Sequence, residues 1–203
     1  MKTLTGQRRR VRATDSKEKL FEAAMRLLGS RSPESVSVDE IAAAAGVSKG
    51  TVYYNFGSKD ELVSQLLSYG AQKLMGELAR VASAEDPYLA LRQMLEFAMD
   101  FVASYPAFAH LWMQEQLDAD TANAFAGTPL NTQVTGLIIE VLERLVVLAP
   151  EQKLSVATSI FGAALFTARM RASGRTDLDR EQTVRAVLLT VDGLRATRPP
   201  ASN

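Results

Sequence analysis

The stretch Ser37-Val-Asp-Glu-Ile-Ala-Ala-Ala-Ala-Gly-Val-Ser-Lys-Gly-Thr-Val-Tyr-Tyr-Asn-Phe-Gly-Ser-Lys-Asp-Glu-Leu62 decides how the chain is read. Ser37 and Glu40 fit a capping box, in which the serine oxygen accepts from the third backbone N–H and the glutamate reaches back. A short helix Val38–Ala45 follows. Gly46 ends it, because glycine enters the left-handed region without steric cost. Ser48 is a candidate cap for a second short helix, about Lys49 to Phe56, broken by Gly57. Ser58 and Glu61 repeat the capping-box pattern and open a long helix with Leu62, Leu66, Gly70, Leu74, Leu78 and Val81 on one stripe. Two short helices joined by a glycine-centred turn have the spacing of a helix-turn-helix, whose second helix enters the DNA major groove. Val47 can plug the angle between them, and Ala42, Ala43 and Ala45 allow close approach. Lys49, Thr51, Tyr53, Tyr54 and Asn55 give the second helix donors and aromatic hydroxyls, and Lys59 stands where it could reach a phosphate.

The rest of the chain reads as helix. Upstream, Thr14 to Gly29 carries Phe21, Ala24, Met25 and Leu28 at helical spacing. Downstream, Asp86-Pro87 looks like a cap followed by proline at the first helical position, starting a helix to about Ser104. Its inward residues are Leu91, Met94, Leu95, Ala98, Phe101 and Val102. Pro106 to Gln116 is a shorter helix, and 118–133 is rich in loop formers. Val134 to Leu145 is amphipathic. Glu151–Ala172 is apolar nearly all round at Ile160–Phe166, so it must be covered on more than one side. The last helix, about Asp179–Thr197, carries Val184, Val187, Leu188, Val191 and Leu194. The expected fold is all-α with about nine helices.

Composition narrows the function. The 203 residues are 47% hydrophobic and 23% charged, as in globular proteins. There is no Cys and a single His, His110, so thiolate metal sites, cysteine nucleophiles and two-histidine metal sites within the chain are excluded. No metal-ligand cluster or phosphate-binding glycine loop is evident, which argues against an all-helical enzyme, and no cofactor is expected. No stretch of about 18 charge-free apolar residues suggests a membrane span. The basic start MKTLTGQRRRVR lacks the apolar region of a signal peptide, so a cytoplasmic protein is expected. The 23 basic and 23 acidic residues cancel, but residues 1–60 hold 11 Lys/Arg against 7 Asp/Glu, a local +4. Arg8, Arg9, Arg10 and Arg12 form a basic arm ahead of the helix-turn-helix, as a protein that meets duplex DNA would require.

The matching positions Ile41-Ala42, Ala45-Gly46-Val47-Ser48, Gly50-Thr51, Tyr53, Phe56, Ser58-Lys59 and Leu62 resemble the TetR family signature. With Phe21, Ala24 and Leu28 the resemblance covers roughly residues 14–64; beyond it only helix count and order are similar. It implies an all-helical homodimer that pairs through its last two helices and binds double-stranded operator DNA through its three N-terminal helices. A small molecule bound among the middle helices releases the DNA. Position by position, Tyr53, Lys59 and Ser37 would contact phosphates, and Lys49, Gly50 and Thr51 would face base edges. Asn55 occupies a position often held by histidine. Asp39 places a negative charge where the family often has a basic or polar residue, and is expected to face solvent or to cap a helix. Ser48, Tyr54 and the arm arginines complete the expected DNA-binding set.

The expected domains are therefore residues 1–60 for DNA and 61–203 for effector binding and dimerisation. Aromatic and sulfur side chains concentrate between Met94 and Phe125, which suggests an apolar or aromatic effector. Phe97, Phe101, Phe108, Trp112, Met113 and Gln116 are the candidate contacts. Leu165 and Val187 are expected to face the partner in the dimer. The expected function is a ligand-responsive regulator, a repressor acting on a palindromic operator; the alternative is a DNA-binding activator or architectural protein without a small ligand.

Overall fold

The computed structural model describes residues 17–28, 31, 35–117, 130–175 and 177–196, with Asn55 and 113–117 described by backbone alone. The arm arginines Arg8, Arg9, Arg10 and Arg12 lie outside these residues. Nine helices and no strand occur among the described residues. They are α1 (17–28), α2 (Val38–Ala45), α3 (Lys49–Phe56), α4 (Lys59–Ala82), α5 (Pro87–Ser104), α6 (Pro106–Leu117), α7 (Leu130–Glu143), α8 (Pro150–Ala172) and α9 (Arg180–Ala196). No helix among them is long and apolar enough to cross a membrane.

The chain divides into two compact units that do not follow chain order. The first holds the described residues up to Gln72 together with those of α6; the second holds Lys73–Ser104 and the described residues from α7 onward. Helix α4 begins in the first and ends in the second.

In the first unit the core is built by Phe21, Val36, Ile41, Val52, Leu62 and Leu66, all nearly inaccessible to solvent. Phe21 of α1 is its centre. Its ring meets Tyr69 edge-on at 5.6 Å, Tyr105 at 4.9 Å and Phe108 at 6.3 Å between centroids. Such tilted and edge-to-face pairs add to the gain from burying the rings. They close on α4 at Gly70. A β-carbon there would stand 2.7 Å from ring atoms of both Phe21 and Phe108. The glycine costs helix propensity, about 1 kcal/mol against alanine, and the close approach of two buried rings offsets it.

In the second unit α5 packs on α7, α8 and α9, and α8 packs on α7 and α9. Helix α5 is capped as the sequence suggests, with Asp86 Oδ1 accepting from the amides of Tyr88 at 2.8 Å and Leu89 at 3.3 Å. It buries Ala90, Leu91, Met94, Leu95, Met99, Phe101 and Val102, whereas the expected Ala98 is half-buried. Helix α9 starts on a reciprocal cap, with the Gln182 amide donating to Asp179 Oδ1 (2.7 Å) and the Asp179 amide donating to Gln182 Oε1 (3.0 Å). The segment between α4 and α5 is held from α7. The Arg144 guanidinium donates to the carbonyls of Ala82 (3.0 Å), Ala84 (2.5 Å) and Glu85 (2.8 Å).

Two expectations are corrected here. The loop expected through residue 133 ends earlier, because α7 begins at Leu130, which is buried one turn before the buried Val134. Val187, expected at a subunit interface, is 2% exposed and lies in the core of its own chain with Thr183, Val184, Leu188 and Val191. Helix α8 buries one stripe, Ala157, Ile160, Ala164 and Ala168, and leaves Phe166 66% exposed. Leu189 on α9 is 60% exposed.

Gly70→Ala is expected to lower stability by about 1–3 kcal/mol, since the new methyl group overpacks two buried rings. Gly76→Ala, on the same helix with nothing within 4 Å of the added carbon, is expected to stabilise by up to about 1 kcal/mol. Urea denaturation of the two variants checks this; a stabilised Gly70→Ala would contradict the packing.

Candidate nucleic-acid interface

Local hydrogen bonds fix the angle between α2 and α3. The capping box at the start of α2 is complete. Glu40 N donates to Ser37 Oγ at 3.2 Å, and Ser37 N donates to Glu40 Oε2 at 2.8 Å. Ser37 Oγ also donates to Glu40 Oε2 at 2.9 Å. The hydroxyl proposed for phosphate contact is thus engaged within the cap in this structure. At the other end Gly46 has φ 69° and ψ 28°. Its amide donates to the Ala43 carbonyl at 3.1 Å, and the Val47 amide donates to the Ala42 carbonyl at 3.0 Å. These two bonds are a Schellman motif, which satisfies the last α2 carbonyls while turning the chain.

Helix α3 then starts on Ser48, whose Oγ accepts from Thr51 N at 3.1 Å and lies 2.6 Å from Thr51 Oγ1. It stops at Gly57, whose amide donates to the Tyr53 carbonyl at 2.9 Å. Val52 and Phe56 are buried and anchor one side of α3. Lys49, Gly50, Thr51, Tyr53 and Tyr54 are exposed, Tyr54 at 90%. The structure therefore brings five of the residues expected to bind DNA onto the solvent side of one short helix. Lys59 opens α4 directly after Ser58, whose Oγ accepts from Glu61 N at 3.1 Å.

Two interactions here were not visible in the sequence. Arg31 donates to Glu40 Oε1 at 2.6 Å and to the Ser35 carbonyl, locking the approach to α2. The Arg31 guanidinium, with help from the Ser37 amide and hydroxyl, holds the Glu40 carboxyl down at about 2. Lys49 Nζ donates to Asp39 Oδ2 at 2.6 Å and lies 5.7 Å from the Tyr53 ring centroid. The Asp39 hydrogen bond, with the Asp39 charge, raises the Lys49 pKa. Asp39 faces solvent, as expected, and in addition pairs with Lys49. The pairing joins residues ten apart across the turn, and only the tertiary angle reveals it.

The candidate effector residues fall in both units. Phe97 and Phe101 face each other at 6.1 Å in the second, with Phe101 buried and Phe97 half-buried. Phe108 and Trp112 are buried in the first, Phe108 in the aromatic cluster of Phe21. Met113 and Gln116 have undescribed side chains. His110 is exposed.

Residues 20–66 match the profile of "Bacterial regulatory proteins, tetR family". The HTH-type transcriptional regulator AcrR of Shigella flexneri is 33% identical over 86 residues, covering 41% of this chain and 40% of that protein. TtgR of Pseudomonas putida is 32% identical over 92 residues, covering 44% and 43%. The matches thus span less than half the length of these relatives. Among solved structures, a TetR-like transcriptional regulator from Rhodococcus sp. RHA1 shares the fold. Its TM-score is 0.69 at 23% identity, over 90% of this chain and 97% of that one. FadR of Thermus thermophilus, described as a transcriptional repressor in complex with lauroyl-CoA, has a TM-score of 0.60 at 24% identity, over 92% and 99%.

Because folding lowers the Glu40 pKa from its ordinary 4.5 to about 2, the carboxylate stabilises the native state above its unfolded pKa. That contribution is lost as pH falls from about 4.5 toward about 2. Glu40→Gln is expected to flatten the acid limb of stability in that window. Denaturation midpoints measured from pH 6 to 2 check this, and parallel curves for the two proteins would contradict it.

Proposed function

We propose, for a chain that belongs to the TetR family of transcriptional regulators, that it is a ligand-responsive repressor binding a palindromic operator as a homodimer. The observation that carries this reading is the exposed side of α3. Lys49, Gly50, Thr51, Tyr53 and Tyr54 are presented together while Val52 and Phe56 hold the helix from behind. A recognition helix needs that division, since its outer side must meet base edges and its inner side must resist being pulled from the domain. On this reading Lys49, Gly50 and Thr51 approach bases, while Tyr53 and Lys59 hold phosphates. Ser37, Ser48, Asn55 and the arm of Arg8, Arg9, Arg10 and Arg12 add to the footprint. Residues 1–60 supply the DNA-binding function, and 61–203 the effector and dimer functions.

The dimer forms through α8 and α9. An exposed Phe166 and an exposed Leu189 on these two helices are large apolar groups that a monomer leaves in water. A two-fold dimer also places two recognition helices about one DNA turn apart, roughly 34 Å. The effector is small and largely apolar or aromatic. A protein of the same fold, FadR of Thermus thermophilus, is described in complex with lauroyl-CoA, whose acyl chain, unlike its charged CoA part, is in keeping with that chemistry. Release requires only that the effector favour a conformation unsuited to DNA by about 1–3 kcal/mol.

Three variants test the reading. Lys59→Ala is expected to weaken binding to operator and random duplex alike and to lower the salt slope by about 1. Lys49→Ala is expected to relax preference at particular base pairs, as measured by selection from a random pool; a uniform loss would remove Lys49 from base reading. Phe166→Glu, at a site exposed in the single chain, is expected to give a folded monomer in sedimentation with weakened operator binding. A Phe166→Glu protein that remains dimeric would place the interface elsewhere.

A further inference from the structure

The caps and the turn of the helix-turn-helix are made without the ion pair between Lys49 and Asp39. Helix α2 is capped by Ser37 and Glu40, the turn is closed by backbone bonds at Gly46 and Val47, and α3 is capped by Ser48. Yet Asp39 Oδ2 lies 2.6 Å from Lys49 Nζ across that turn, with both side chains more than half exposed. Lys49 is the first residue of α3, the positive end of the helix dipole, where a cation gains nothing from the backbone. A long exposed lysine at such a place would ordinarily sample many rotamers. Here one carboxylate reaches across from α2 and draws it over the Tyr53 ring, 5.7 Å from the centroid.

We propose that Asp39 is a positioning residue that tethers Lys49 on the base-facing side of α3 and thereby penalises binding to non-cognate DNA; this rests on the DNA-binding reading of α3. An ammonium carries three N–H donors. Asp39 accepts one, which leaves two for acceptors on a base edge, such as O6 and N7 of guanine. On a cognate duplex Lys49 keeps both the carboxylate and the base. On a duplex with no acceptor at that place, Asp39 holds the ammonium by the Tyr53 ring, so on this proposal Lys49 must leave Asp39 to swing to a phosphate. The tether therefore withholds one phosphate contact from non-specific binding while leaving the specific contact intact. An exposed ion pair of this kind corresponds to a factor of about 2 to 5 in an equilibrium constant, and that factor is the added discrimination. The Asp39 charge also repels phosphates directly, but equally on every duplex, so this part cancels in the ratio of affinities.

The test uses the full chain and a duplex enriched from a random pool, with a scrambled duplex of the same length and composition as reference. Asp39→Asn is expected to lower the enriched-to-scrambled affinity ratio by about 2- to 5-fold, mainly by tighter binding to the scrambled duplex. The salt slope on that duplex is expected to rise by about 0.9, one added phosphate contact. Asp39→Glu, which keeps the carboxylate, is expected to restore the ratio. In a Lys49→Met background Asp39→Asn is expected to leave the ratio unchanged. Equal tightening on both duplexes, the same fall in the Lys49→Met background, or failure of Asp39→Glu to restore the ratio would each overturn the proposal. If the unmodified protein enriches no sequence, the DNA-binding reading falls and this inference with it. If it enriches one and the ratio is unmoved by Asp39→Asn, only this inference falls.

Discussion

The exposed side of α3 depends on two backbone hydrogen bonds at one turn. Gly46 and Val47 donate to the carbonyls of Ala43 and Ala42, and the left-handed φ of Gly46 makes both possible. An L-residue with a β-carbon at φ 69° would be strained, so the turn is written into a single position. Everything placed on α3 inherits its direction from that turn. Val52 and Phe56 point inward only because α2 ends where it does, and the polar residues between them point outward for the same reason. The caps at Ser37 and Ser48 then satisfy the helix N-termini locally, so neither short helix depends on its marginal intrinsic stability alone.

What could be read from sequence is what is decided over a few residues. The caps at Ser37, Ser48 and Asp86, the turn at Gly46 and the stripes of α4 and α5 all involve partners within about one or two turns, and residue type and periodicity report them directly. Residue type also marked α3 as the polar, aromatic helix of the pair. The interactions that escaped connect distant positions. Asp39 reads as a surface acid until the turn angle brings Lys49 beside it. Arg31 reads as an ordinary charge until its bond to Glu40, nine residues on, is seen. Val187 shows the other limit: a hydrophobic stripe states that a residue is buried, not against which chain, and its own subunit's core took it. Aromatic density in α5 and α6 likewise could not separate core from pocket. Phe108 lies in the Phe21 cluster, and Phe97 keeps part of its ring accessible.

Electrostatics in this chain act mainly through placement. The network that joins Arg92 to Glu96 and Glu181, and Arg180 to Glu96 and Asp100, lies between 22% and 61% exposed. Water and salt screen such pairs, so they orient α5 and α9 more than they stabilise them. Burial has more effect at Tyr88, where desolvation, followed by its bond to Asp192, raises the phenol pKa. Arg144 is a positional device of the second unit, because one planar guanidinium meets three carbonyls between α4 and α5.

Gly70 has a consequence for α4 as a mechanical part. The two rings that lie against its bare backbone act as a key in a notch, and the notch has an azimuth. Sliding α4 by one residue would turn the notch by about 100° and present Tyr69 or Ala71 to the rings instead. The other glycine of the helix, Gly76, is six residues on, about 240° around the axis, so it offers no second seat. The first unit thus indexes the N-terminal part of α4 in rotation and translation at once, because only one residue of that part leaves room for both rings.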